Sequence, residues 1–320
     1  MILTRILHYQ ITPNEADWTV EKFLQMKGYS RNALSRLKRT AGGLSVNGCP
    51  VFSSSRLKPE DSLTIRLIEP EPSSQITPVP MDLCILYEDE DLMVIDKAAG
   101  VPVHPSQGHR CDSLANGVMW YSRQKREPFS FRAVNRLDSG TSGLLIIAKN
   151  LISSAILSQM VRDRLISREY LAAASGCLPE SGTIIAPIGR AGDSIMTRRV
   201  DFDKGDYACT HYERLFYDPA ADCSLARVHL DTGRTHQIRV HFQYIGHPLP
   251  GDFLYNPDYS LIGRTALHSW RLSFPHPITK APMTFTASVP EDIKHICSIP
   301  DFAGLTDLSV PETQKDVNSI

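Results

Sequence analysis

Four prolines between Pro70 and Pro80 set the main constraint on how this chain can fold: Glu69-Pro70-Glu71-Pro72-Ser73-Ser74 is closed by Pro78 and Pro80. Proline lacks the amide hydrogen and fixes φ, so neither a helix nor a central strand runs through such a stretch. Residues 70–81 read as a semi-rigid linker. It divides the 320 residues into a small unit, 1–69, and a large one, 82–299, long enough for a sizeable core. From about Pro300 the chain is polar without a periodic apolar face, and 300–320 reads as a loose tail.

Hydrophobic residues are 42% and charged residues 22%, which excludes general disorder. The formal net charge of -1 excludes a globally basic nucleic-acid binder, so any RNA surface is a local patch. No apolar run approaches the roughly 18 residues of a membrane span. Met1 to Ile11 is broken by Arg5 and His8 and has no small-residue cleavage site, so no leader is expected. Seven cysteines are scattered without a C-x-x-C pair, which argues for free thiols in a reducing cytoplasm and against a zinc knuckle or a disulfide framework.

In the small unit, Val20, Phe23 and Leu24 fit one face of a short helix, and Ser30 caps a second carrying Leu34 and Leu37. Leu44-Ser45-Val46 enters an Asn47-Gly48 turn, and Leu63, Ile65 and Leu67 alternate with Thr64 and Arg66 as a half-buried strand does. Lys22, Lys27, Arg31, Arg36, Lys38, Arg39, Arg56 and Lys58 stand in one run with no Asp or Glu among them. A solvated helix face is the ordinary reading of such a run. Here the missing acidic partners favour RNA contact, and the pattern resembles the small α-L RNA-binding domain of certain ribosomal proteins.

The large unit opens with a hairpin, Cys84 to Tyr87 and Leu92 to Ile95 around Glu88-Asp89-Glu90-Asp91, followed by a loop from Lys97 to His104. Leu144 to Ala148 is a continuous apolar run, fit for a strand buried on both faces. Ile152, Ile156, Leu157, Met160 and Val161 mark a helix. Tyr170 to Ala174, Leu225 to Leu230 and Thr235 to Phe242 read as strands. These elements predict an α+β fold with a large, mostly antiparallel sheet.

Three segments carry chemistry. Asn135-Arg136-Leu137-Asp138-Ser139-Gly140-Thr141-Ser142-Gly143 mounts a carboxylate on a Gly/Ser/Thr loop ahead of the apolar strand. On physics alone Asp138 is equally a turn cap or a partner of Arg136. In Thr235 to Phe242, a period of two sends Ile238, Val240 and Phe242 inward and Thr235, Gln237, Arg239 and His241 outward. On that reading His236 and His241 lie on opposite faces and form no metal pair, while Arg239 can hold a carboxylate or phosphate. Tyr170 in Ser167 to Ala173 projects opposite Leu171.

Together these segments resemble the RluA-type pseudouridine synthases. The match runs through Asn135-Arg136-Leu137-Asp138, Thr141-Ser142-Gly143-Leu144, Arg168-Glu169-Tyr170, Thr232 to His241, Gly246-His247-Pro248 and Gly251-Asp252, from about Leu83 to Pro290. Asn135 stands where the family usually has His, and Ala98 where it often has Pro. The resemblance implies the pseudouridine synthase fold, with a mixed, mostly antiparallel sheet and flanking helices, and isomerisation of uridine in structured RNA. Asp138 matches the catalytic aspartate, acting as nucleophile or through a glycal. Arg239 matches the basic residue that keeps it ionised and aimed. Tyr170 matches the tyrosine that packs on uracil or serves as a base, and Leu267 an apolar pocket residue. Arg136 matches the residue that fills the stack left by the flipped base.

Arg136 and Asn135 are expected to contact RNA, together with Lys22, Lys27, Arg31, Lys38 and Arg39. Large-subunit ribosomal RNA is the expected substrate, with transfer RNA the alternative. No cofactor, metal or membrane partner is implied, and the enzyme is expected to act as a monomer. The competing readings are a non-catalytic RNA-binding or assembly factor and a hydrolase using Asp138. The second lacks an adjacent acid, base or metal cluster.

Overall fold

A computed structural model describes residues 3–69, 76–127, 129–192, 194 and 196–296. The expected tail, 300–320, and residues 70–75, the first half of the proline segment, lie outside them. The small unit begins with β1 (Leu3–Gln10) and a single 3-10 turn at Pro13–Glu15. Helices α1 (Val20–Met26) and α2 (Arg31–Arg39) follow, then β2 (Leu44–Val46), β3 (Cys49–Pro50) and β4 (Ser62–Glu69). Thr19 and Ser30 cap the two helices, their hydroxyls accepting from the amides of Lys22 and Ala33. Asn47 and Gly48 both have positive φ, as the two-residue turn between β2 and β3 requires. The sheet order is β1-β4-β2-β3, and β1 pairs with β4 along its whole length, from Leu3↔Glu69 to Gln10↔Ser62. β1 has no counterpart in the sequence reading, because its partner lies some 60 residues away.

The large unit contains β5 (Cys84–Glu88), β6 (Leu92–Lys97), α3 (Leu114–Gln124), β7 (Ser142–Ala148), α4 (Leu151–Arg162), β8 (Ser167–Ser175) and β9 (Ser181–Ile185). It continues with β10 (Ile188–Arg190), β11 (Arg198–Val200), β12 (Cys209–Asp218), β13 (Cys223–Leu230) and α5 (Gln237–Tyr244). β14 (Leu267–Pro275), β15 (Pro282–Thr286) and α6 (Glu291–Ile296) complete it. The main sheet runs β5-β6-β7-β14-β8-β13-β12-β9, with β15 on β14. All its pairs are antiparallel except the short parallel contact of β14 with β7. Every residue of β7 is buried. Leu144 and Ile146 face the core shared with α4, and Leu145 and Ile147 face the one shared with α3, which explains why the run is apolar without alternation.

The two units share a core. Leu7, Leu24, Leu34 and Leu67 of the small sheet and its helices belong to one apolar cluster with Leu92, Val94, Ile152 and Ile156. Ion pairs pin the junction. Arg5 donates to Asp91 through Nε (3.0 Å) and Nη2 (2.6 Å). Glu69 accepts from Arg132 (2.8 Å) and from the Leu151 amide at the start of α4 (2.6 Å). The described end of the expected linker is likewise attached to α3: Asn116 donates to the Thr77 carbonyl and accepts, through its own carbonyl, from the Val79 amide.

Residues 235–242 depart from the expected strand. His236 turns the chain through the left-handed region (φ 57°), and Gln237–Tyr244 form α5. Gln237 through Phe242 are all buried, polar and apolar alike, so no solvent face exists to impose a helical period.

Candidate active site

Asp138 stands on a tight turn ahead of β7, its carbonyl accepting from the Thr141 amide (3.1 Å). The turn is held from both sides. The buried Lys97 donates to the carbonyls of Ala98 and Val101 (2.8 Å each) and Ser139 (3.2 Å), and Arg264 reaches the Gly140 carbonyl (3.4 Å). Burial pulls the Lys97 ammonium down to about 7, with Asp138 opposing that shift, while three carbonyls match its three N–H groups. At the foot of the loop Gly143 has φ 108°, and a Cβ there would lie 2.2 Å from the Ser269 carbonyl oxygen. Only glycine lets β7 and β14 meet this closely.

α5 carries Arg239 to the same place. Its Nη1 donates to Asp138 Oδ2 (2.7 Å), while Nε and Nη2 donate to Asp252 Oδ2 and Oδ1 (2.6 Å each). Arg239 is 2% exposed, Asp252 0% and Asp138 28%. A buried carboxylate therefore locks a buried guanidinium in the fork geometry, and Nη1 aims at the one carboxylate that opens on the cleft. Burial opposes the guanidinium charge, but the bonds to Asp252 and the charge of Asp138 raise its pKa. Among the described residues Arg239 is the hydrogen-bond partner of the Asp138 carboxylate, so the turn-cap and Arg136-pair readings fall away.

The cleft above Asp138 is about 240 Å³ and is lined by Arg136, Tyr170, Leu267, His236 and Arg168, among others. Tyr170 is buried, and burial raises the pKa of its hydroxyl. His236 Nε2 lies 3.8 Å from Asp138 Oδ1, and its Nδ1 shares a hydrogen bond with Tyr255 Oη (2.9 Å). Burial lowers the His236 pKa against the pull of Asp138, leaving it neutral at pH 7. Arg136 is exposed at the cleft mouth.

Asn135 also lines the cleft. Its side chain is buried, donates to the Leu144 carbonyl (3.3 Å) and accepts from the Ile146 amide (2.8 Å), clamping the loop to β7.

The basic run of the small unit also differs from its reading. Lys27 pairs with Glu15 (2.9 Å) and Lys38 with Glu21 (2.8 Å), acids just outside the run. Lys22 sits over the Trp18 ring (4.7 Å). Arg31, Arg36 and Arg39 are exposed on α2 and have no ion pair among the described residues.

Asp252, Arg168 and Lys97 carry no role on sequence grounds beyond their places in the motifs. Arg168 lies two residues before Tyr170 on β8, hence on the same face, and its Nε is buried without a hydrogen-bond partner among the described residues. That spacing is the one sequence signal for a cation facing the cleft.

Residues 91–244 match the family described as RNA pseudouridylate synthase. An uncharacterised RNA pseudouridine synthase of Bacillus subtilis, YjbO, is 40% identical over 281 residues, 87% of this chain and 98% of the relative. Ribosomal large subunit pseudouridine synthase D of Neisseria meningitidis serogroup A is 35% identical over 286 residues, 85% of this chain and 75% of the relative. The solved structure of human RNA pseudouridylate synthase domain containing 1 covers 69% of this chain and 86% of its own, with TM-score 0.54 and 26% identity.

Proposed function

The chain belongs to the RNA pseudouridine synthase family, isomerases that convert uridine to pseudouridine in RNA, and we propose that its substrate is large-subunit ribosomal RNA and that Asp138 carries the chemistry. The observation behind the assignment is the Asp138–Arg239–Asp252 array, in which Asp138 is the carboxylate that opens on the cleft. The relative named for the large ribosomal subunit and the cations of α2 support the substrate, and with it a cytoplasmic enzyme.

Isomerisation breaks N1–C1′, turns the uracil, forms C5–C1′ and releases the C5 hydrogen as a proton, while N1 takes up a proton. Product and substrate are isomers, so atoms and electrons balance without a co-substrate. Asp138 either attacks C1′ or assists departure of uracil through a glycal, and both routes need a charged, aimed carboxylate. Arg239 aims it, and Asp252 keeps Arg239 from swinging. Tyr170, with its hydroxyl pKa raised by burial, suits packing of a neutral ring on uracil better than service as a phenolate base. Arg136 at the mouth fills the vacated stack, and Arg168 faces a phosphate of the flipped nucleotide.

Asp138→Asn tests the central role. The variant should fold, bind RNA like the parent and release no tritium from 5-tritiated uridine RNA in single-turnover excess of enzyme. Substantial release would remove Asp138 from the chemistry. Pseudouridine mapping of total RNA with and without the protein tests the substrate: loss at a large-subunit ribosomal position supports it, and loss confined to transfer RNA overturns it.

A further inference from the structure

Away from the cleft floor, β12 and β13 carry a second group of reactive side chains. His211 lies opposite His229 in the ladder, and beyond Thr210↔Leu230 the Asp231 amide donates to the Cys209 carbonyl. Side chains two apart on a strand share a face, so Cys209-x-His211 and His229-x-Asp231 form a two-by-two array. The donor atoms of three of these residues converge: Cys209 Sγ to His211 Nε2 is 3.5 Å and His211 Nε2 to Asp231 Oδ2 is 3.2 Å, and the ligand atoms of Cys209, His211 and Asp231 all lie within 4.8 Å of one another. His229 stands beside them, its Nε2 3.9 Å from the other Asp231 oxygen. Ligand atoms about 2.0–2.3 Å from a shared tetrahedral centre lie about 3.3–3.8 Å apart, close to the two edges measured here.

We propose that Cys209, His211 and Asp231 form a binding site for a zinc-class divalent cation, with a fourth position left to solvent. One thiolate, one imidazole and a carboxylate are the donor set of a borderline-soft ion, and hard cations such as magnesium or calcium take oxygen ligands instead. Thr183 Oγ1 hydrogen-bonds His211 Nδ1 (3.0 Å), leaving Nε2 to the array, as an outer-shell partner does for a ligating histidine. His211 and Asp231 are partly exposed, so an ion has a way in, and Arg164, 3.8 Å from Asp231 and 54% exposed, is free to swing aside. Burial and Asp231 raise the pKa of the Cys209 thiol, so binding an ion forms the metal–sulfur bond and sends the thiol proton to solvent.

The site would brace the root of the cleft loop. The Thr232 hydroxyl accepts from the Cys209 amide (3.0 Å) and donates to Gln237 (2.8 Å), which donates back to the Cys209 carbonyl (2.9 Å). An ion on Cys209 and Asp231 thus ties β12 and β13 to the start of α5, the helix that carries Arg239.

Cobalt titration of the reduced, chelator-stripped full chain tests the proposal. The expected result is a thiolate-to-cobalt charge-transfer band with the intense visible bands of a tetrahedral ion, saturating at one ion per chain and displaced by zinc. Cys209→Ser should abolish the charge-transfer band, and His211→Ala should weaken binding by roughly tenfold or more. Absence of the band in the parent overturns the site. An unchanged band in Cys209→Ser also overturns it, placing the ion on an exposed thiol such as Cys49, Cys84, Cys111 or Cys177. Should Cys209→Ser not fold, the partly exposed His211→Ala decides: unaltered affinity there overturns the site.

Discussion

Asp252→Asn separates stability from chemistry at this site. Asp252 is fully buried, and both carboxylate oxygens accept from Arg239 at 2.6 Å. Oδ1 also accepts from the amides of Leu254 (3.1 Å) and Tyr255 (3.2 Å). Asparagine has the same shape but carries an NH₂ in place of one oxygen. Whichever way the amide turns, it sets a donor against a guanidinium N–H, and a buried cation is left without its main counter-charge. Breaking a buried pair from one side costs about 3–5 kcal/mol, a large part of the roughly 5–15 kcal/mol that holds a domain folded. The Tm should fall by roughly 5–15 °C. Asp138→Asn also weakens a bond to Arg239, but Asp138 is 28% exposed and Asp252 keeps the guanidinium paired, so it should cost about 1 kcal/mol. Thermal and urea melts of both variants, beside tritium release, give the comparison. Asp252→Asn should melt early yet retain measurable turnover at low temperature, whereas Asp138→Asn should melt near the parent and turn over nothing. Parent-like stability of Asp252→Asn would refute the argument that Asp252 holds Arg239 in place.

Removing residues 1–72 would strip Arg5, Glu69 and the apolar cover of α4, so the contribution of the small unit to RNA binding is better tested by Arg31→Ala with Arg39→Ala. Affinity should weaken and the slope of log K against log salt should flatten by roughly 0.7–0.9 for each phosphate no longer neutralised, an unchanged slope being the contrary result. Arg136→Ala should lose more rate on a stem-loop uridine than on a single-stranded one, because only the first requires a stack to be broken; equal losses would discount the wedge. His268, buried against Ser142 and near Arg264, is held down to about 4, so between pH 6.5 and 4 the unfolded chain takes up a proton that the native state refuses. The stability contribution of neutral His268 is full above pH 6.5 and lost as pH falls towards 4, by roughly 3 kcal/mol. Urea melts across that range should show a shallower pH dependence in His268→Asn, and identical profiles would contradict it.

Where local chemistry carries the information, sequence and structure agree. Asn47-Gly48 makes its turn because positive φ at both positions is a property of those two residues. Thr19 and Ser30 cap their helices because the acceptor and the orphan amide are three residues apart. Leu144 to Ala148 is buried on both faces because no polar side chain interrupts it. Asp138 is identifiable as a loop carboxylate, and the ordered motifs around it carry the family.

Periodicity fails at 235–242, since it reads a boundary between core and solvent and α5 has none. Its Gln237, Arg239 and His241 are buried because tertiary partners satisfy them: Cys209 and Thr210 for Gln237, Asp138 and Asp252 for Arg239, Thr210 and the Ala186 carbonyl for His241. Partner choice across 101 residues, as between Arg239 and Asp138, leaves no trace in a local pattern. Asn135 and Lys38 look unpartnered for the same reason, their protein partners arriving only with folding. Cys209, His211 and Asp231 are likewise three scattered letters until the register of β12 on β13 brings them together. Turns, caps and buried runs are short-range properties and belong to the sequence; the satisfaction of buried polar groups is long-range, and only the folded chain decides it.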